Sequence, residues 1–511
     1  MQRSPGLTAP PGGKLLRRLL HRFATLALAS VTGLIAFVPD STAFGDVPET
    51  RPNIVIILAD DLGYGDVGCY GATRWKTPHI DRLAHEGTRF TSFYVSQAVC
   101  SASRASLFTG CYANRVGMAG ALNHTSNVGI HDDERLLSEV FHDCGYATAA
   151  FGKWHLGHRP VFLPMRHGFD EFFGIPYSND NGPLHPVIRD IPALPLFESE
   201  RVVATDPDQS QFTKWLTERS LQFIEKHRDQ PFFLYVPHIM PHVPIFASDG
   251  FRGRSGAGLY GDVVEELDWS VGEILRSLKV WGLEDRTWVI FASDNGPFLS
   301  YGEHAGSAGP LREGKLTTFE GGIRVPCLMR WPGKIPAGRV CDELVTTLDL
   351  LPTAARLIGS ELPQKTIDGL DVWGVLTGSA ASPREAFYYY SGDELHAVRS
   401  GQWKLHVPHD YISVAGPPGK GGKPANYGNL SPLSIEQSGI RGIASRHGYE
   451  VRQIGLSLYD LSDDVGETQN LAEKHPDIVR RLMTLVERAR EDLGDSLMGQ
   501  KGAGVRSAGR W

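Results

Sequence analysis

The sequence predicts an α/β protein with a large mixed, mainly parallel sheet between layers of helices, followed by a smaller C-terminal α+β region. From Pro52 to about Gly378, short apolar runs alternate with longer amphipathic stretches, a pattern typical of βα units. Four runs are apolar throughout, as strands that are buried on both faces must be. They are 54–58, 148–151, 232–236 and 288–292.

Three of the amphipathic stretches are predicted to be helices, namely 134–144, 211–227 and 262–280. The first is followed by Gly145, at the position where a glycine commonly ends a helix. Helices that alternate with buried strands in this way cover both faces of the sheet. Together these elements define a predicted α/β domain over residues 51–378.

The sequence pattern changes near Ala380, where aromatic residues cluster in AFYYY and alternation begins in HAVRSGQWKLHV. This alternation favours an antiparallel sheet, so we predict an α+β subdomain over 379–500. From Pro476 to Leu493 the apolar positions share one helical face, which predicts a terminal helix that packs on the small sheet. The Gly-rich, basic segment 501–511 is expected to be a flexible tail.

The overall composition is that of a globular protein without a nucleic-acid partner. Of 511 residues, 51 are Lys or Arg and 58 are Asp or Glu, so the net charge is −7. A chain without a basic excess is a poor candidate for nucleic-acid binding. The six cysteines are too scattered for a disulfide scaffold or a paired-Cys zinc site, and their pairing cannot be read from the sequence.

The N-terminus is predicted to be a signal peptide over residues 1–43. A basic stretch at 14–22 precedes an apolar run at 23–38, and small residues follow at 41–43. The run is shorter than the roughly 20 residues of a spanning helix, although an uncleaved anchor remains the alternative. We therefore expect an exported protein, periplasmic or secreted, whose mature part has no stable membrane insertion.

Polar side chains follow all four of the buried strand-length runs directly. They are Asp60 and Asp61, Lys153 and His155, His238 and His242, and Asp294 and Asn295. In open α/β sheets, ligands bind beyond the carboxyl ends of the strands, so we interpret these residues as one site.

The oxygen donors in this set favour a hard cation. Asp60, Asp61, Asp294 and Asn295 offer carboxylate and amide oxygens, which suit Ca²⁺ or, less well, Mg²⁺ rather than zinc. Taken singly, an Asp pair is more often a helix cap than a metal site, and an Asp-Asn pair is more often part of a turn. Their joint position at strand ends makes one divalent cation the better interpretation.

A GxGxxG pattern at Gly63, Gly65 and Gly68 resembles a dinucleotide fingerprint, but we reject that function. Asp60 and Asp61 stand between the strand and the first glycine, where they would repel a pyrophosphate. The segment that follows also lacks the helix start on which a pyrophosphate would bind.

The segment CSASRASLFTG at 100–110 is the most specific motif. Its spacing places Cys100 four residues before Arg104 at a possible helix start, where the helix dipole and the guanidinium would stabilise negative charge. The motif resembles the sulfatase signature C-x-[P/A]-S-R-x-x-L-x-T-G. The matching residues are Cys100, Ala102, Ser103, Arg104, Leu107, Thr109 and Gly110.

The resemblance to sulfatases, and to their arylsulfatase A-like members in particular, extends over most of the chain. The segments that carry it are PNIVIILADDLGYGD at 52–66, TPHIDRLA at 77–84, GKWHLG at 152–157, GIPYSND at 174–180, SDNGP at 293–297, GKLTTFEGGIRVP at 314–326 and LYDLSDDVGETQNLA at 458–472. This similarity implies an alkaline-phosphatase-like fold.

The resemblance also implies a set of site residues. In the family, the motif cysteine is oxidised to Cα-formylglycine by a dedicated maturation machinery, which would act on Cys100 here. The implied ligands of Ca²⁺ are Asp60, Asp61, modified Cys100, Asp294 and Asn295. The implied catalytic residues are Cys100, Arg104, Lys153, His155, His242 and Lys315, and the implied substrate contacts are Lys153, Ser178, His242 and Lys315.

Two positions depart from the commoner family pattern, and the catalytic histidine of PHIMPHVP has two candidates. Ala102 stands where proline is commoner, and Cys111 stands where arginine is common. His242 is preferred over His238 because it precedes the Val-Pro that matches the family pattern.

The predicted activity is hydrolysis of a sulfate monoester of a sugar, glycan or aryl alcohol to the alcohol and inorganic sulfate. A formylglycine hydrate would be the nucleophile, and a divalent metal would assist. One alternative is a phosphatase or phosphonate-ester hydrolase of the same superfamily. Another is a catalytically silent sulfate- or glycan-binding protein with unmodified Cys100. The natural substrate cannot be read from the sequence, because loops set selectivity on a shared scaffold.

Overall fold

The computed structural model describes residues 51–437 and 439–511, which belong to one compact unit. The predicted signal peptide at 1–43 lies outside the described residues. The strands are β1 (Asn53–Ala59), β2 (Thr88–Phe90), β3 (Phe93–Tyr94), β4 (Val128–Gly129), β5 (Ala147–Lys153), β6 (Glu171–Ile175), β7 (Pro195–Glu198), β8 (Arg201–Thr205), β9 (Phe232–Pro237), β10 (Thr287–Ser293), β11 (Cys327–Arg330), β12 (Arg339–Cys341), β13 (Val345–Thr346), β14 (Phe387–Ser391), β15 (Glu394–Ser400), β16 (Trp403–His406), β17 (His409–Val414), β18 (Tyr449–Ile454), β19 (Ser457–Asp460) and β20 (Gly509–Arg510).

The helices fill the connections between these strands. They are α1 (Pro78–Glu86), α2 (Cys100–Thr109), α3 (Leu137–Asp143), α4 (Phe212–Lys226), α5 (Leu259–Val280), α6 (Glu320–Ile323), α7 (Leu350–Ile358), α8 (Trp373–Thr377), α9 (Ile440–His447) and α10 (Pro476–Leu493).

Ten of these strands form one mixed sheet in the order β12-β2-β11-β10-β1-β9-β5-β6-β7-β8. The central strands β10, β1, β9, β5 and β6 run parallel, and antiparallel neighbours flank them on both sides. In the middle of the sheet, Ile56 of β1 lies opposite Ile290 of β10 and Tyr235 of β9. The predicted fold class, a large and mainly parallel mixed sheet, is confirmed.

The central strand β1 contributes to a hydrophobic core on each face of the sheet. Val55 and Ile57 pack with α1, α4 and α5 on one face, and Ile54 and Ile56 pack with α2, α3 and α7 on the other. Alternate residues of a strand point to opposite faces, so a strand covered on both sides must be apolar at every position. This burial explains why the four predicted strand runs reappear as β1, β5, β9 and β10.

The predicted helices are also present, but α3 starts later and α5, at Leu259, starts earlier than predicted. The stretches predicted at 211–227 and 262–280 form α4 and α5, but the helix predicted from Glu134 begins only at Leu137. There the side chain of Glu139 accepts a hydrogen bond from the backbone N–H of Leu136, which caps the first turn. The carboxylate of Glu134 pairs instead with Arg506, so tertiary contacts determine the start of α3.

The glycines of the rejected dinucleotide pattern have a packing role. A Cβ atom on Gly63 would lie 2.3 Å from the carbonyl oxygen of Ser307, and one on Gly65 would lie 2.8 Å from the backbone nitrogen of Gly309. Larger residues at these two positions would therefore collide with the backbone of the 305–309 loop. The segment needs glycines for this close approach, which requires no bound nucleotide.

The C-terminal region contains the predicted small antiparallel sheet. Strands β14, β15, β16 and β19 form it, and β14 to β16 correspond to the aromatic and alternating sequence segments. Helix α10 spans the predicted Pro476–Leu493 and buries Leu482, Leu485 and Val486 in a core shared with this sheet. Because the apolar positions repeat with helical periodicity, one face of α10 covers the sheet and the other faces solvent.

The last eleven residues differ from the expected flexible tail. Strand β20 pairs with β4, and the guanidinium of Arg506 forms an ion pair with Glu134 and donates a hydrogen bond to the sulfur of Cys111. The glycines that suggested flexibility allow close packing in this segment. A Cβ atom on Gly509 would lie 2.7 Å from the ring of Phe162.

Two further features concern the described residues. No helix within 51–437 or 439–511 is both long and apolar enough to cross a bilayer. All six cysteines are free thiols in this structure, and four of them, Cys100, Cys111, Cys327 and Cys341, are buried.

Candidate active site

Five oxygen- and nitrogen-bearing side chains meet at the carboxyl ends of adjacent parallel strands. Asp60 and Asp61 follow β1, Lys153 is the last residue of β5, and Asp294 and Asn295 follow β10. All five are buried. The interpretation of the strand-end residues as one site is therefore supported for these positions by the sheet order itself.

Cys100 enters this cluster from the first turn of α2. Its thiol donates a hydrogen bond to Oδ1 of Asp60 at 3.4 Å, and Nζ of Lys315 lies 3.4 Å from the sulfur. Every residue of α2 is buried, so the helix fixes the cysteine rigidly. The N-terminus of a helix carries positive partial charge, which favours negative charge at this position.

The cysteine thiol itself is held in its protonated form. Burial, together with the adjacent carboxylate of Asp60, raises the pKa of the Cys100 thiol above its usual value, and Lys153 and Lys315 oppose this shift only partly. Cysteine hydrolases need the opposite, a thiolate with a lowered pKa. The surroundings of unmodified Cys100 are therefore unlike those of a cysteine nucleophile.

Arg104 ties the cysteine helix to two strand ends. Its Nε and Nη2 donate to Oδ2 of Asp294 at 3.1 and 2.9 Å, and its Nη1 donates to the carbonyl of Lys153 at 2.7 Å. The side chain is fully buried, so these charge-assisted bonds have little competition from water. Arg104 thereby joins α2 to the ends of β10 and β5.

Two lysines neutralise the aspartates after β1. Nζ of Lys153 lies 2.6 Å from Oδ2 of Asp60, and Nζ of Lys315 lies 2.7 Å from Oδ1 of Asp61. Burial alone would lower the pKa of Lys315, but the carboxylate of Asp61, together with Cys100, Asp60 and Asp294, outweighs it, so this pKa lies well above its usual value. Burial would likewise raise the pKa of Asp60, but Lys153 and the other cations lower it below its usual value.

The donor set fits a hard divalent cation. Single ligand atoms of Asp60, Asp61, Cys100 and His242 lie within 4.8 Å of one another. Asn295 donates through Nδ2 to Oδ1 of Asp61 at 2.7 Å, whereas its buried Oδ1 has no hydrogen-bond partner in the described part of the chain. A buried amide oxygen without a partner is costly, and coordination to a cation would satisfy it.

His155 is oriented as a proton acceptor. Its Nε2 lies 2.8 Å from the carbonyl oxygen of Leu122, which can only accept, so Nε2 carries the proton. Burial and then the charge of Lys153 lower the pKa of His155 well below its usual value, so the ring is neutral. The other nitrogen, Nδ1, is buried without a partner among the described residues and holds a free lone pair.

The structure separates the two histidines of PHIMPHVP. The His242 ring lies in the site, with Nε2 3.6 Å from Oδ2 of Asp61 and 3.3 Å from Oγ of Ser178. His238 instead points to α5, where its Nε2 lies 3.2 Å from Oγ of Ser270. Burial lowers the pKa of His238 to about 3, so this ring is a neutral core residue.

Backbone strain is concentrated in the site. Asp61, His155 and Leu316, the residue after Lys315, have φ angles of 65°, 64° and 72°. In residues other than glycine this left-handed conformation costs free energy because the Cβ atom crowds the backbone. Such strained residues cluster at functional positions. The unusual backbone turns the side chains of Asp61 and His155 into the space beside Cys100.

A pocket of about 410 Å³ opens above these residues. Cys100, His155, Ser178, His242 and Lys315 line its floor, whereas Arg104 and Lys153 lie beneath it, fully buried. The segment 411–450, which includes α9, supplies much of the upper wall. Its lining residues are Ile412, Ile435, Gly439, Ile440, Ile443, Arg446 and His447.

Several charged or titratable residues of this pocket were not predicted as site residues, among them Tyr390, Asp393 and Glu394. Those that bear on the charge of the pocket wall are Asp180, His185, Arg446 and His447. Asp180 ends the segment GIPYSND, so its proximity to Ser178 was a usable signal. Arg446 and His447 come from a part of the chain more than 250 residues away, and no local pattern distinguishes them from surface residues.

Comparison with known proteins gives two family matches. Residues 52–360 match the family model described as sulfatase, and residues 382–503 match the model described as the C-terminal region of aryl-sulfatase. Together the two models cover nearly all of the described residues.

Two curated relatives and one solved structure illustrate the similarity. Arylsulfatase A of Bos taurus is 38% identical over 488 residues, covering 91% of this chain and 89% of that protein. N-acetylgalactosamine-6-sulfatase of Canis lupus familiaris is 42% identical over 373 residues, covering 70% and 71%. The crystal structure of Ps i-CgsB in complex with k-i-k-neocarrahexaose has a TM-score of 0.69 and 27% identity, covering 86% of this chain and 92% of that one.

Proposed function

The chain belongs to the sulfatase family of sulfuric ester hydrolases, and on that premise we propose that it hydrolyses a sulfate monoester of a glycan, sugar or aryl alcohol to the alcohol and inorganic sulfate. The observation that carries the proposal is the position of Cys100. Its sulfur lies on the pocket floor, at the start of α2, between Nζ of Lys315 and the carboxylate of Asp60.

We propose that Cys100 is oxidised to formylglycine, whose hydrated aldehyde would supply a hydroxyl nucleophile and a second hydroxyl for product release. The protonated, buried thiol is a poor nucleophile as it stands, which supports a need for this modification. The chain's own contribution is to hold this side chain. Helix α2 fixes its backbone, and Asp60 and Lys315 hold the atom that replaces sulfur.

We propose further that Asp60, Asp61, Asp294 and Asn295, with the modified Cys100, hold a divalent cation, with Ca²⁺ preferred over Mg²⁺. When bound, such a cation supplies Lewis-acid stabilisation of negative charge on oxygen. The unpartnered Oδ1 of Asn295 and the close approach of the Asp60 and Asp61 carboxylates to Cys100 support this assignment.

The residues around the pocket floor favour a sulfate group. Arg104, Lys153 and Lys315 balance the charges of Asp60, Asp61 and Asp294, so a divalent cation would leave the site positive. Cleavage of the ester S–O bond places new negative charge on the leaving oxygen. Positioned cations in a pocket that excludes water are the usual main source of stabilisation for such a transition state.

Proton transfer is assigned to two histidines and a lysine. His155 presents the free lone pair of Nδ1, so it can accept a proton from a hydroxyl on the pocket floor. On the other side, Nδ1 of His242 lies 2.5 Å from the carbonyl of Val243 and donates to it. Its Nε2 therefore faces Ser178 and the pocket, where His242, as an imidazolium, or Lys315 would protonate the departing alcohol.

The substrate class proposed is a sulfated carbohydrate. Two of the similar proteins carry names that refer to carbohydrate, an N-acetylgalactosamine-6-sulfatase and a structure with bound neocarrahexaose. The pocket of about 410 Å³ is large enough for a monosaccharide unit. The predicted signal peptide supports action outside the cytoplasm, in the periplasm or after secretion.

The proposed activity is tested by sulfate release. Purified full-length protein is expected to release sulfate from nitrophenyl sulfate and from a panel of sulfated saccharides. Dialysis against a chelator should lower the rate at least about 100-fold. Ca²⁺ should restore it more completely than Mg²⁺, because a site with several protein ligands suits Ca²⁺, whereas Mg²⁺ is usually held by one or two carboxylates and keeps several waters. Hydrolysis of nitrophenyl phosphate with no sulfate release would favour a phosphatase. Tight binding of sulfated saccharides without any turnover would favour a silent binding protein.

The two histidines of PHIMPHVP are expected to differ sharply in their mutants. His242→Gln should lower kcat/KM about 100- to 1000-fold, because a proton donor facing the leaving oxygen is lost. His238→Gln should lower the melting temperature through its lost bond to Ser270 but leave kcat/KM within about threefold. Steady-state kinetics and thermal unfolding of both variants check this, and the reverse ranking would assign the catalytic role to His238.

A further inference from the structure

Arg446 is a buried arginine in the upper wall of the catalytic pocket. It lies in the last turn of α9, with 4% of its surface exposed. Its Nη1 donates to the backbone carbonyls of Ser434 at 2.6 Å and Gln437 at 3.0 Å, which fix the guanidinium against the loop before the helix. These bonds use a single nitrogen, so the rest of the guanidinium is available to the pocket that it lines.

The charge of Arg446 has no partner at ion-pair distance. Within residues 51–437 and 439–511, no carboxylate oxygen lies within 4.0 Å of its guanidinium nitrogens. Other buried arginines of the protein are paired, as Arg104 is with Asp294 and Arg384 is with Asp349. A buried charge without a partner is costly, and an arginine cannot escape the cost by losing its proton.

Asp180 does not neutralise this guanidinium. It lines the same pocket, but its carboxylate faces several cations at once. Burial would raise the pKa of Asp180, but the basic groups around it, Lys315 and Lys153 among them, lower it below its usual value. Asp180 acts on Arg446 only from beyond ion-pair distance. Burial lowers the pKa of Arg446, and the charge of Asp180 opposes this shift only partly, so among the described residues the guanidinium has no contacting carboxylate in the pocket wall.

His185 adds a hydrogen-bond donor beside Arg446. Its Nδ1 accepts hydrogen bonds from the backbone N–H groups of Val187 at 3.0 Å and Ile188 at 2.9 Å. The neutral ring therefore carries its proton on Nε2, and the side chain lines the pocket. The ring centroids of His185 and His447 are 6.2 Å apart, which places these donors on the same wall as the last turn of α9.

We propose that Arg446, assisted by His185, binds a second anionic oxygen group of the substrate, a carboxylate or a further sulfate, while the scissile sulfate lies on the pocket floor. This inference rests on the proposed sulfatase activity and makes it more specific, since the preferred substrate would be a sulfated saccharide with two negative groups. A planar guanidinium with free N–H groups binds carboxylate and sulfate oxygens in pairs, and in a poorly hydrated wall these bonds are strong.

The test compares substrates that differ only in the second charge. The single-charge probes are nitrophenyl sulfate, glucosamine with one O-sulfate, and a sulfated glucose. The double-charge probes are the same glucosamine with an additional N-sulfate, and the corresponding sulfated glucuronic acid. Arg446→Gln is expected to raise KM for the double-charge probes about 10- to 100-fold, while kcat and the KM of the single-charge probes stay within about twofold. Comparison of the N-sulfated glucosamine probe with the glucuronic acid probe shows whether the second group that is bound is a sulfate or a carboxylate.

Two further variants control for structural effects. Arg441→Gln changes an exposed arginine of the same helix and should leave every KM unchanged. Arg446→Lys keeps the positive charge and should lose less affinity than Arg446→Gln for double-charge probes. If Arg446→Gln raised KM equally for all probes, or for none, the second anion subsite would be wrong.

A binding measurement makes the outcome independent of turnover. Calorimetric titration of a turnover-deficient Cys100→Ala protein, with Arg446 either intact or replaced, by the two glucosamine probes should give the same pattern in Kd. Absence of sulfate release from every probe by the wild type would refute the proposed activity, whereas equal Kd values of Cys100→Ala with and without Arg446→Gln for the doubly sulfated probe would refute the subsite.

Discussion

Replacing Cys100 with serine is expected to lower kcat about 10⁴-fold or more, with the fold intact. The thiol makes only weak contacts at 3.4 Å with Asp60 and Lys315, so a hydroxyl can occupy its place without strain. What serine lacks is the second hydroxyl of a hydrated aldehyde, so a sulfate transferred to it could not be expelled again. Steady-state release of nitrophenol from nitrophenyl sulfate measures the loss.

Cys111→Ser provides the matched control for this variant. Cys111 is also buried and follows α2 directly, but its sulfur bonds to the carbonyl of Thr109 and accepts from Arg506, away from the pocket. Its substitution should change the melting temperature only, with kcat within about twofold of the wild type. A serine variant at Cys100 that retained a tenth or more of the activity would contradict the proposed role.

The second large effect is expected at Asp60. Its carboxylate lies 2.6 Å from Nζ of Lys153 and 3.5 Å from Nη2 of Arg104, and it accepts the hydrogen bond of Cys100. Asp60→Asn removes the negative charge but keeps the shape. Lys153, which is fully buried, then loses its counter-charge, a change that typically costs about 3–5 kcal/mol.

The activity of Asp60→Asn should fall about 1000-fold or more because a metal ligand and the contact to the nucleophile are lost together. Thermal unfolding and kinetics of the same preparation measure both effects. Asp133→Asn, at an exposed position, is the control and should change neither quantity measurably. An Asp60→Asn protein with wild-type kinetics would show that Asp60 has no part in the chemistry.

The central sheet could be predicted because burial on both faces constrains its strands strongly. The apolar runs at 54–58 and 288–292 leave no polar face for solvent, so their assignment as β1 and β10 followed from composition alone. Helix α10 was predictable to its end residues, since its apolar positions repeat with helical periodicity and place one face in the core and the other in solvent. Local sequence patterns were therefore sufficient to predict an element where buried and exposed positions recur at the regular spacing of a strand or a helix.

The pocket floor was predictable for a related reason. Parallel strands end at one edge of a sheet, so the side chains that follow β1, β5 and β10 had to lie close together. The start of α2 at Cys100 was also suggested by the spacing to Arg104. Spacing alone could not separate His242 from His238, and here the structure decides, because His238 points to α5.

The upper wall and the tail could not be predicted from local sequence. Arg446 faces the pocket because α9 packs on the β17–β18 ribbon, an arrangement that depends on contacts far apart in the chain. The tail is held by Arg506, whose partner Glu134 is 372 residues away. Its glycines suggested mobility, but small residues also permit the close packing that is observed.

Mass spectrometry of the tryptic peptide 90–104 from catalytically active protein tests the central claim most directly. The prediction is a peptide in which the thiol of Cys100 is replaced by an aldehyde or its hydrate, in a fraction that rises in proportion to specific activity across preparations. A fully active preparation whose peptide carries only the unmodified thiol would contradict the proposed mechanism.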